Sequence, residues 1–219
     1  MRKFSAALVA VALAACGHHH RDNACEHARD AHVVVLRVDD NSDYMKRVVE
    51  HVGMAPADSG AVDPDARKAG VRVLVDSWQT AENAAITDHA LTGPSRAAIA
   101  HYVDTLGTPP ADHTLAYERL SGAMWRSFYV ETTPIVIGSS VVGGEPTKQG
   151  FELELDSRGA KALDRASADA VGHKLAIVVG DEVVSAPVVA TAIHGGKFEI
   201  TSHDTADDAA LLKRLGCTR

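Results

Sequence analysis

The sequence predicts an α+β protein built from two small α/β units, and two observations lead to this class. In the C-terminal half, apolar residues alternate with glutamates along 151–155, and Ala160, Leu163 and Ala170 then recur at helical spacing. In the N-terminal half, strand-like and helix-like segments follow in the order strand, helix, strand, helix, strand. With 46% hydrophobic residues, the chain has enough apolar material for a sizeable core.

The first fifteen residues have the form of a secretory signal peptide. Arg2 and Lys3 precede an apolar run, 6–15, that is too short to span a bilayer as a mature helix. Small residues directly before Cys16 are typical of a bacterial lipoprotein processing site, at which the cysteine thiol accepts a palmitate-containing lipid. We therefore expect residues 1–15 to be removed and Cys16 to carry a membrane anchor. An ordinary signal peptide with a coincidental cysteine is the alternative.

The residue after the anchor and the net charge bear on the location of the protein. Gly17 stands where enteric inner-membrane lipoproteins carry a retaining aspartate, which favours the outer membrane, with the mature chain facing the periplasm. The formal net charge of −7 argues against a nucleic-acid partner. Beyond the signal peptide, no stretch of the sequence is long and apolar enough to span a membrane.

Residues 16–31 are polar and predict a histidine-rich tether between the lipid and the folded part. His18, His19, His20 and His27 are candidate ligands for Zn²⁺, Ni²⁺ or Cu²⁺. Consecutive histidines lack the spacing of a rigid metal site, so we predict a solvated linker with no metal and no cofactor.

Residues 32–123 predict the N-terminal unit. A strand at 33–38 is followed by a helix that Ser42 or Asp43 caps and that Gly53 ends. The acidic run 39–43 also suggests a calcium loop, but it lacks the glycine and the late glutamate of an EF-hand. A strand end followed by a helix cap explains it better.

The rest of this unit predicts two further strands and one further helix. We expect a polar loop at 56–70, a strand in which Val71, Val73 and Val75 alternate with polar residues, and a second loop before Pro94. Pro94 stands where a first helical residue often does, and Thr108-Pro109-Pro110 ends the helix. Leu115 and Tyr117 mark the third strand.

Residues 124–219 predict the C-terminal unit. Its first strand, 124–130, contains Trp125, Phe128 and Tyr129, which form a core strand or a surface for extended apolar polypeptide. A glycine-rich loop at 138–144 lacks the spacing of a phosphate-binding loop. The remaining elements are predicted in order: a strand at 151–155, a helix capped by Asp156 or Ser157, strands at 175–179 and 183–184, a Gly195-Gly196 turn, a strand through Phe198 and Ile200, and a helix opened by a capping box at 205–208.

This unit contains an ordered series of short motifs: Phe151-Glu-Leu-Glu-Leu155, Asp156-Ser-Arg-Gly-Ala160, Val171-Gly172 through Val179, Val183-Val-Ser-Ala-Pro187, Ile193-His-Gly-Gly196 and Thr205-Ala-Asp-Asp-Ala209. The series resembles a known family, the head subdomain of the first periplasmic domain of SecD, an accessory subunit of bacterial protein export. In SecD a ferredoxin-like base carries this head, and the N-terminal pattern is compatible with such a base.

The resemblance implies a module that binds polypeptide. The SecD head is thought to engage emerging preprotein, so the expected partners are unfolded or exported polypeptide or translocon components, with an accessory role in export. Two alternatives remain open: an envelope structural or interaction lipoprotein, and a lipoprotein that binds metal through the tether. The sequence has no Gly-x-Ser-x-Gly elbow and no His-Glu-x-x-His pair, which favours a non-catalytic protein.

Two cysteines remain once Cys16 is acylated. Cys25 lies in the tether and Cys217 follows the last predicted helix. An exported chain meets an oxidising compartment, and domain termini are often close in space, so we predict a Cys25–Cys217 disulfide. Two free thiols, or pairing between molecules, are the alternatives.

Overall fold

A computed structural model describes residues 32–53, 62–120, 123–147 and 150–201, and within them the α+β class is confirmed. The described helices are α1 Asp43–Gly53, α2 Pro64–Ala69, α3 Arg96–Leu106 and α4 Ser157–Asp169. The described strands are β1 Val33–Arg37, β2 Arg72–Gln79, β3 Ala85–Gly93, β4 His113–Arg119, β5 Trp125–Glu131, β6 Val136–Ile137, β7 Val141–Pro146, β8 Gly150–Leu155, β9 Leu175–Val179, β10 Glu182–Ser185 and β11 Lys197–Thr201.

Five of the strands close into a small barrel. The larger sheet has eight strands in the order β2-β3-β5-β4-β10-β9-β1-β6, and the smaller has the order β11-β8-β7. Directly after β1, Val38 forms a bridge with Val130 of β5, and the N–H of Asp39 donates to the carbonyl of Tyr129 at 2.9 Å. The ladder β5-β4-β10-β9-β1 therefore returns to β5, and we call this ring of five strands the barrel.

Alternation along the strands fills the barrel interior with apolar side chains. Successive side chains point to opposite faces of a strand, so every second residue of each barrel strand faces inward. The buried residues of this inner cluster are Val38, Phe128, Val130, Ala176, Val178 and Val183. Small and branched side chains dominate because five strands leave room for little more.

The outward-facing residues of the barrel pack into two separate cores. On one side, Val33 and Val35 of β1 and the odd-numbered residues of β9 pack with Leu163 of α4 and with the smaller sheet. On the other side, Tyr129 of β5 packs with the buried faces of α1 and α3. The barrel is thus the layer that the two cores share.

The predicted boundary between residues 123 and 124 stays a prediction. Strands from both sides of it belong to the same sheet, because β1 pairs antiparallel with β9 and β4 pairs in parallel with β10.

The N-terminal order of elements was predicted incorrectly at two places. The expected loop at 56–70 contains α2, which Asp63 caps by accepting a hydrogen bond from the N–H of Asp65 at 2.8 Å. The expected loop before Pro94 contains β3, which pairs with β2 from Ala85 to Thr92. A six-residue helix shows little periodicity, and polar residues interrupt the apolar ones in β3, so neither gives a clear pattern.

Two local predictions also need correction. Ser95, rather than Pro94, defines the start of α3, because its hydroxyl accepts from the N–H of Ala98 at 3.0 Å. The expected loop at 138–144 is a short 3-10 helix, Gly138–Ser140, followed by β7. Its glycines belong partly to a strand that pairs with β8 across a bulge.

The other predicted elements are confirmed wherever the structure describes them. Met45, Val48, Val49 and Val52 form the buried face of α1, and the Asp156 carboxylate caps α4 by accepting from the N–H of Gly159 at 2.7 Å. The helix predicted after Thr205 lies outside the described residues.

We expect Gly196 to tolerate substitution less well than its neighbour Gly195, although both have positive φ, 72° and 81°. A Cβ on Gly196 would lie 2.6 Å from the Cβ of Ala160, whereas a Cβ on Gly195 meets open space. Gly196→Ala should therefore lower the free energy of unfolding by about 2–3 kcal/mol and Gly195→Ala by about 1 kcal/mol. Urea unfolding measures both, and equal losses would contradict the contact with α4.

Candidate functional site

Four charged side chains meet where the β2–β3 hairpin covers one end of the barrel. In the described residues, β3 pairs with β5 at only two positions, Thr92–Arg126 and Gly93–Trp125. The rest of the hairpin therefore extends away from β5. The carboxylates of the hairpin contact two cations, Arg126 in β5 and Lys174 directly before β9. Lys174 Nζ lies 2.6 Å from Asp88 and 3.5 Å from Asp76, and Arg126 Nη2 lies 3.0 Å and 2.6 Å from the same two carboxylates. We call these four residues the ionic cluster.

Aromatic rings cover the cations of the ionic cluster. Lys174 Nζ lies 4.6 Å from the Trp78 ring centroid, and the Arg126 guanidinium carbon lies 4.6 Å from that of Phe128. Such contacts are stronger when the cation is shielded from water, and the side chain of Lys174 is only 8% exposed. The cluster thus balances two positive against two negative charges beside an apolar interior.

The two cations of the cluster also keep its more exposed acid, Asp76, ionised. Burial on its own would raise the pKa of Asp76, but Arg126 and Lys174 together hold this pKa below its ordinary value. The carboxylate therefore stays ionised at neutral pH and remains available to both cations.

Next to the ionic cluster, two segments lie side by side at the approach to β9. The N–H of Gly172 donates to the carbonyl of Val189 at 2.8 Å, and the N–H of Val189 donates to the carbonyl of His173 at 2.9 Å. We call residues 171–174 and 187–189 the head loop pair. Residues 171–174 belong to one of the motifs that resemble the SecD head, and Pro187 is the last residue of another.

Asp40 fixes one side of the head loop pair. Its carboxylate is buried, and it accepts from the N–H of Lys174 at 2.8 Å and lies 2.7 Å from Nδ1 of His173. The acidic run 39–43 was predicted to end a strand and cap a helix, and Ser42 does accept from the N–H of Met45 at 3.5 Å. The role of Asp40 was missed, since its partners lie far along the chain and leave no local pattern.

The tip of the β2–β3 hairpin fixes the other side of the loop pair. Trp78 Nε1 donates to the carbonyl of Gly172 at 2.8 Å. Gly172 has a positive φ of 86°, and a Cβ there would lie 2.6 Å from Cγ2 of Thr80. The close approach requires glycine at this position and holds the hairpin against the loop pair.

This rigid frame exposes two apolar side chains. Val171 and Val188 are 40% and 39% exposed. The residues before and after each of them form main-chain hydrogen bonds. His173 is partly exposed beside them. Such a surface offers apolar contact at little entropic cost, because its backbone is already ordered.

The residues predicted to carry chemistry lie mostly outside the described ranges. These are Cys16, His18, His19, His20, Cys25, His27 and Cys217; the lipidation, the disulfide and the choice between a solvated tether and a metal site stay predictions. In the described part of the chain, no three His, Cys, Asp or Glu side chains are arranged to hold a metal ion. None of the helices described there is long and apolar enough to cross a membrane.

The aromatic strand is placed unambiguously. Phe128 faces the barrel interior and Tyr129 packs against the helices, and both are 3% exposed. The core interpretation is therefore confirmed for Phe128 and Tyr129, which offer no surface to a polypeptide, whereas Trp125 is only partly buried.

Comparison with known families identifies the part of the chain that contains the head loop pair. Residues 114–215 match the family described as SecDF, P1 head subdomain. The chain contains a SecD-head-like domain. The match begins within β4, earlier than the predicted start at residue 124, and it includes four of the five barrel strands.

Two curated relatives support this assignment. The chain is similar to protein translocase subunit SecD of Acetobacter pasteurianus, with 31% identity over 90 residues, which are 40% of this chain and 17% of the relative. It is also similar to protein translocase subunit SecD of Rhodobacter capsulatus, with 30% identity over 124 residues, 52% of this chain and 22% of the relative. The chain thus matches about a fifth of the length of these proteins.

Solved structures of SecDF are more distant matches. A crystal structure of SecDF in a super-membrane-facing form shares 19% identity at a TM-score of 0.35, over 85% of this chain and 28% of that one. A structure described as a membrane component SecDF that enhances protein export shares 17% identity at 0.35, over 84% and 93% of the two chains. The SecD-head-like assignment rests on the sequence matches.

We expect Lys174→Met to be strongly destabilising, because it leaves the buried Asp88 carboxylate with one cation instead of two. Removing one partner of a buried pair costs about 3 kcal/mol or more. Lys197→Met is the matched control: Lys197 also forms a 2.8 Å ion pair, with Glu152, but its side chain is 46% exposed. Denaturant unfolding should show a large loss for the first variant and little change for the second. Similar losses would contradict the structural importance of the cluster.

Proposed function

We propose that this protein is a lipid-anchored, non-catalytic envelope protein whose SecD-head-like domain binds extended polypeptide as an accessory to protein export. The match of residues 114–215 to the SecDF P1 head subdomain is the observation that carries the proposal. The two curated relatives are named as translocase subunits, which relates the domain to export and to the cell envelope.

The head loop pair is the surface that we assign to the polypeptide. It lies within the matched residues, and it presents Val171 and Val188 on a backbone that Asp40 and Trp78 hold in place. Unfolded segments expose apolar side chains, and each Å² of apolar surface removed from water contributes about 25 cal/mol. A small apolar surface gives weak binding that tolerates many sequences. Weak binding suits an exported polypeptide, which must dissociate to complete its transport.

The anchor would keep this surface close to the membrane. The predicted tether of sixteen residues, 16–31, would limit how far the domain can lie from the membrane. The domain would then sample the periplasmic space next to the membrane that holds the anchor, through which exported chains pass. Gly17 favours the outer membrane as the site of anchoring.

A photo-reactive amino acid at Val188 tests the proposed surface in cells. We expect crosslinks to exported polypeptides or translocon components. Val62 is the matched control, because it is a valine of nearly equal exposure, 38% against 39%, that lies outside the SecD-head-like residues. Equal crosslinking from both positions would refute the assigned surface. Crosslinks from Val188 to envelope structural proteins alone would favour the structural alternative.

Replacing the proposed lipid attachment site tests the anchor separately. Cys16→Ala should leave the protein unprocessed or release it from the membrane fraction, because no other residue before the folded part can accept the lipid at the processing site. Membrane fractionation followed by intact-mass measurement reads out both effects. An unmodified, freely soluble mature wild-type protein would exclude the lipid anchor.

A further inference from the structure

Strand β2 forms one edge of the eight-stranded sheet, and no described strand pairs with its outer side. It is eight residues long and contains neither proline nor lysine, which commonly protect such edges from pairing. Val73 and Val75 are 37% and 49% exposed on one face of it. The strand was predicted correctly, but of the three valines that suggested it Val71 is buried, whereas Val73 and Val75 face solvent.

The register of the hairpin shows which main-chain groups point outward. The N–H of Thr80 donates to the carbonyl of Ala84 at 2.9 Å, which makes Thr80 and Ala84 a hydrogen-bonded pair. The pairing of β2 with β3 is regular from Gln79 back to Arg72, so hydrogen-bonded residues alternate along it. Even-numbered residues therefore bond to β3, and the N–H and C=O groups of Val73 and Val75 point to the open edge.

The open edge of β2 is complementary to the same edge of a second copy of the chain. If two copies of β2 pair antiparallel about Leu74, Val73 of one copy lies opposite Val75 of the other, in both directions. These are the residues with outward main-chain groups, so the two pairs exchange about four hydrogen bonds. The four valines then form one apolar row across the shared sheet.

The charges on the opposite face select the same register. A pairing centred on Leu74 places Arg72 of one copy opposite Asp76 of the other, again in both directions. Opposite charges directly across a ladder stabilise pairing, whereas like charges oppose it. Asp76 keeps 40% of its side chain exposed while it binds Arg126, so it can accept a further cation.

We propose that two copies of this chain associate through their β2 edges, in an antiparallel pairing centred on Leu74. The symmetry is that of an isologous dimer, in which the same patch serves both partners. The shared sheet has sixteen strands, as twice the eight strands of one copy. The proposal does not depend on polypeptide binding, because β2 lies outside the SecD-head-like residues.

Sedimentation of the purified full chain in mild detergent, under reducing conditions, tests the association. We expect a concentration-dependent doubling of the protein mass. Val75→Lys should weaken it at least about tenfold, because each copy places an ammonium group in the shared valine row. Ile137→Lys is the matched control, since Ile137 is 48% exposed on β6 at the opposite edge of the same sheet.

A second pair of variants tests the register. Arg72→Glu puts two carboxylates opposite each other and should abolish the dimer, whereas Arg72→Lys keeps the charge and should retain it. Circular dichroism confirms that each variant is folded. A wild type that stays monomeric, an Ile137→Lys variant as impaired as Val75→Lys, or an Arg72→Glu variant that still dimerises would each overturn the proposal. Crosslinking from Val188 is independent of these results.

Discussion

The compensation of buried charge at one end of the barrel is the interaction on which the rest of the structure depends. Lys174 and Arg126 would be costly beside an apolar interior without Asp76 and Asp88, since an unpaired buried ion costs several kcal/mol. Both carboxylates come from the β2–β3 hairpin, which is attached to the barrel by only two paired positions. Charge balance therefore fixes where the hairpin lies, together with the hydrogen bond from the N–H of Leu91 to the Ser127 hydroxyl at 3.0 Å.

That placement explains how the head loop pair is held on both sides. Once the hairpin covers the barrel end, Trp78 reaches the carbonyl of Gly172 and Thr80 packs where a Cβ on this glycine would lie. Asp40 secures the other side through the main chain of Lys174, whose ammonium belongs to the ionic cluster. Residues from both halves of the chain thus order a surface that lies in the SecD-head-like domain.

Most elements with a local cause could be predicted from the sequence, although α2 was missed, whereas contacts between distant residues could not be predicted. The strand 151–155 and the helix capped by Asp156 follow from alternation and from one capping carboxylate. The barrel closes through the bridge between Val38 and Val130. The buried carboxylate of Asp40 forms a hydrogen bond with His173. No local pattern encodes such contacts. In β2 the valines alternate with polar residues as predicted, but Val73 and Val75 face solvent instead of the core.

Barrel closure also constrains when the molecule can fold. Val33 of the first strand pairs with Val179, so the ring cannot be completed until nearly all of the described chain is available. Contacts between residues so far apart slow folding, because a long loop must be ordered before they form. If residues 1–15 act as the predicted secretory signal, such a delay would keep the polypeptide unfolded while it is threaded across a membrane, and its core would form after the crossing.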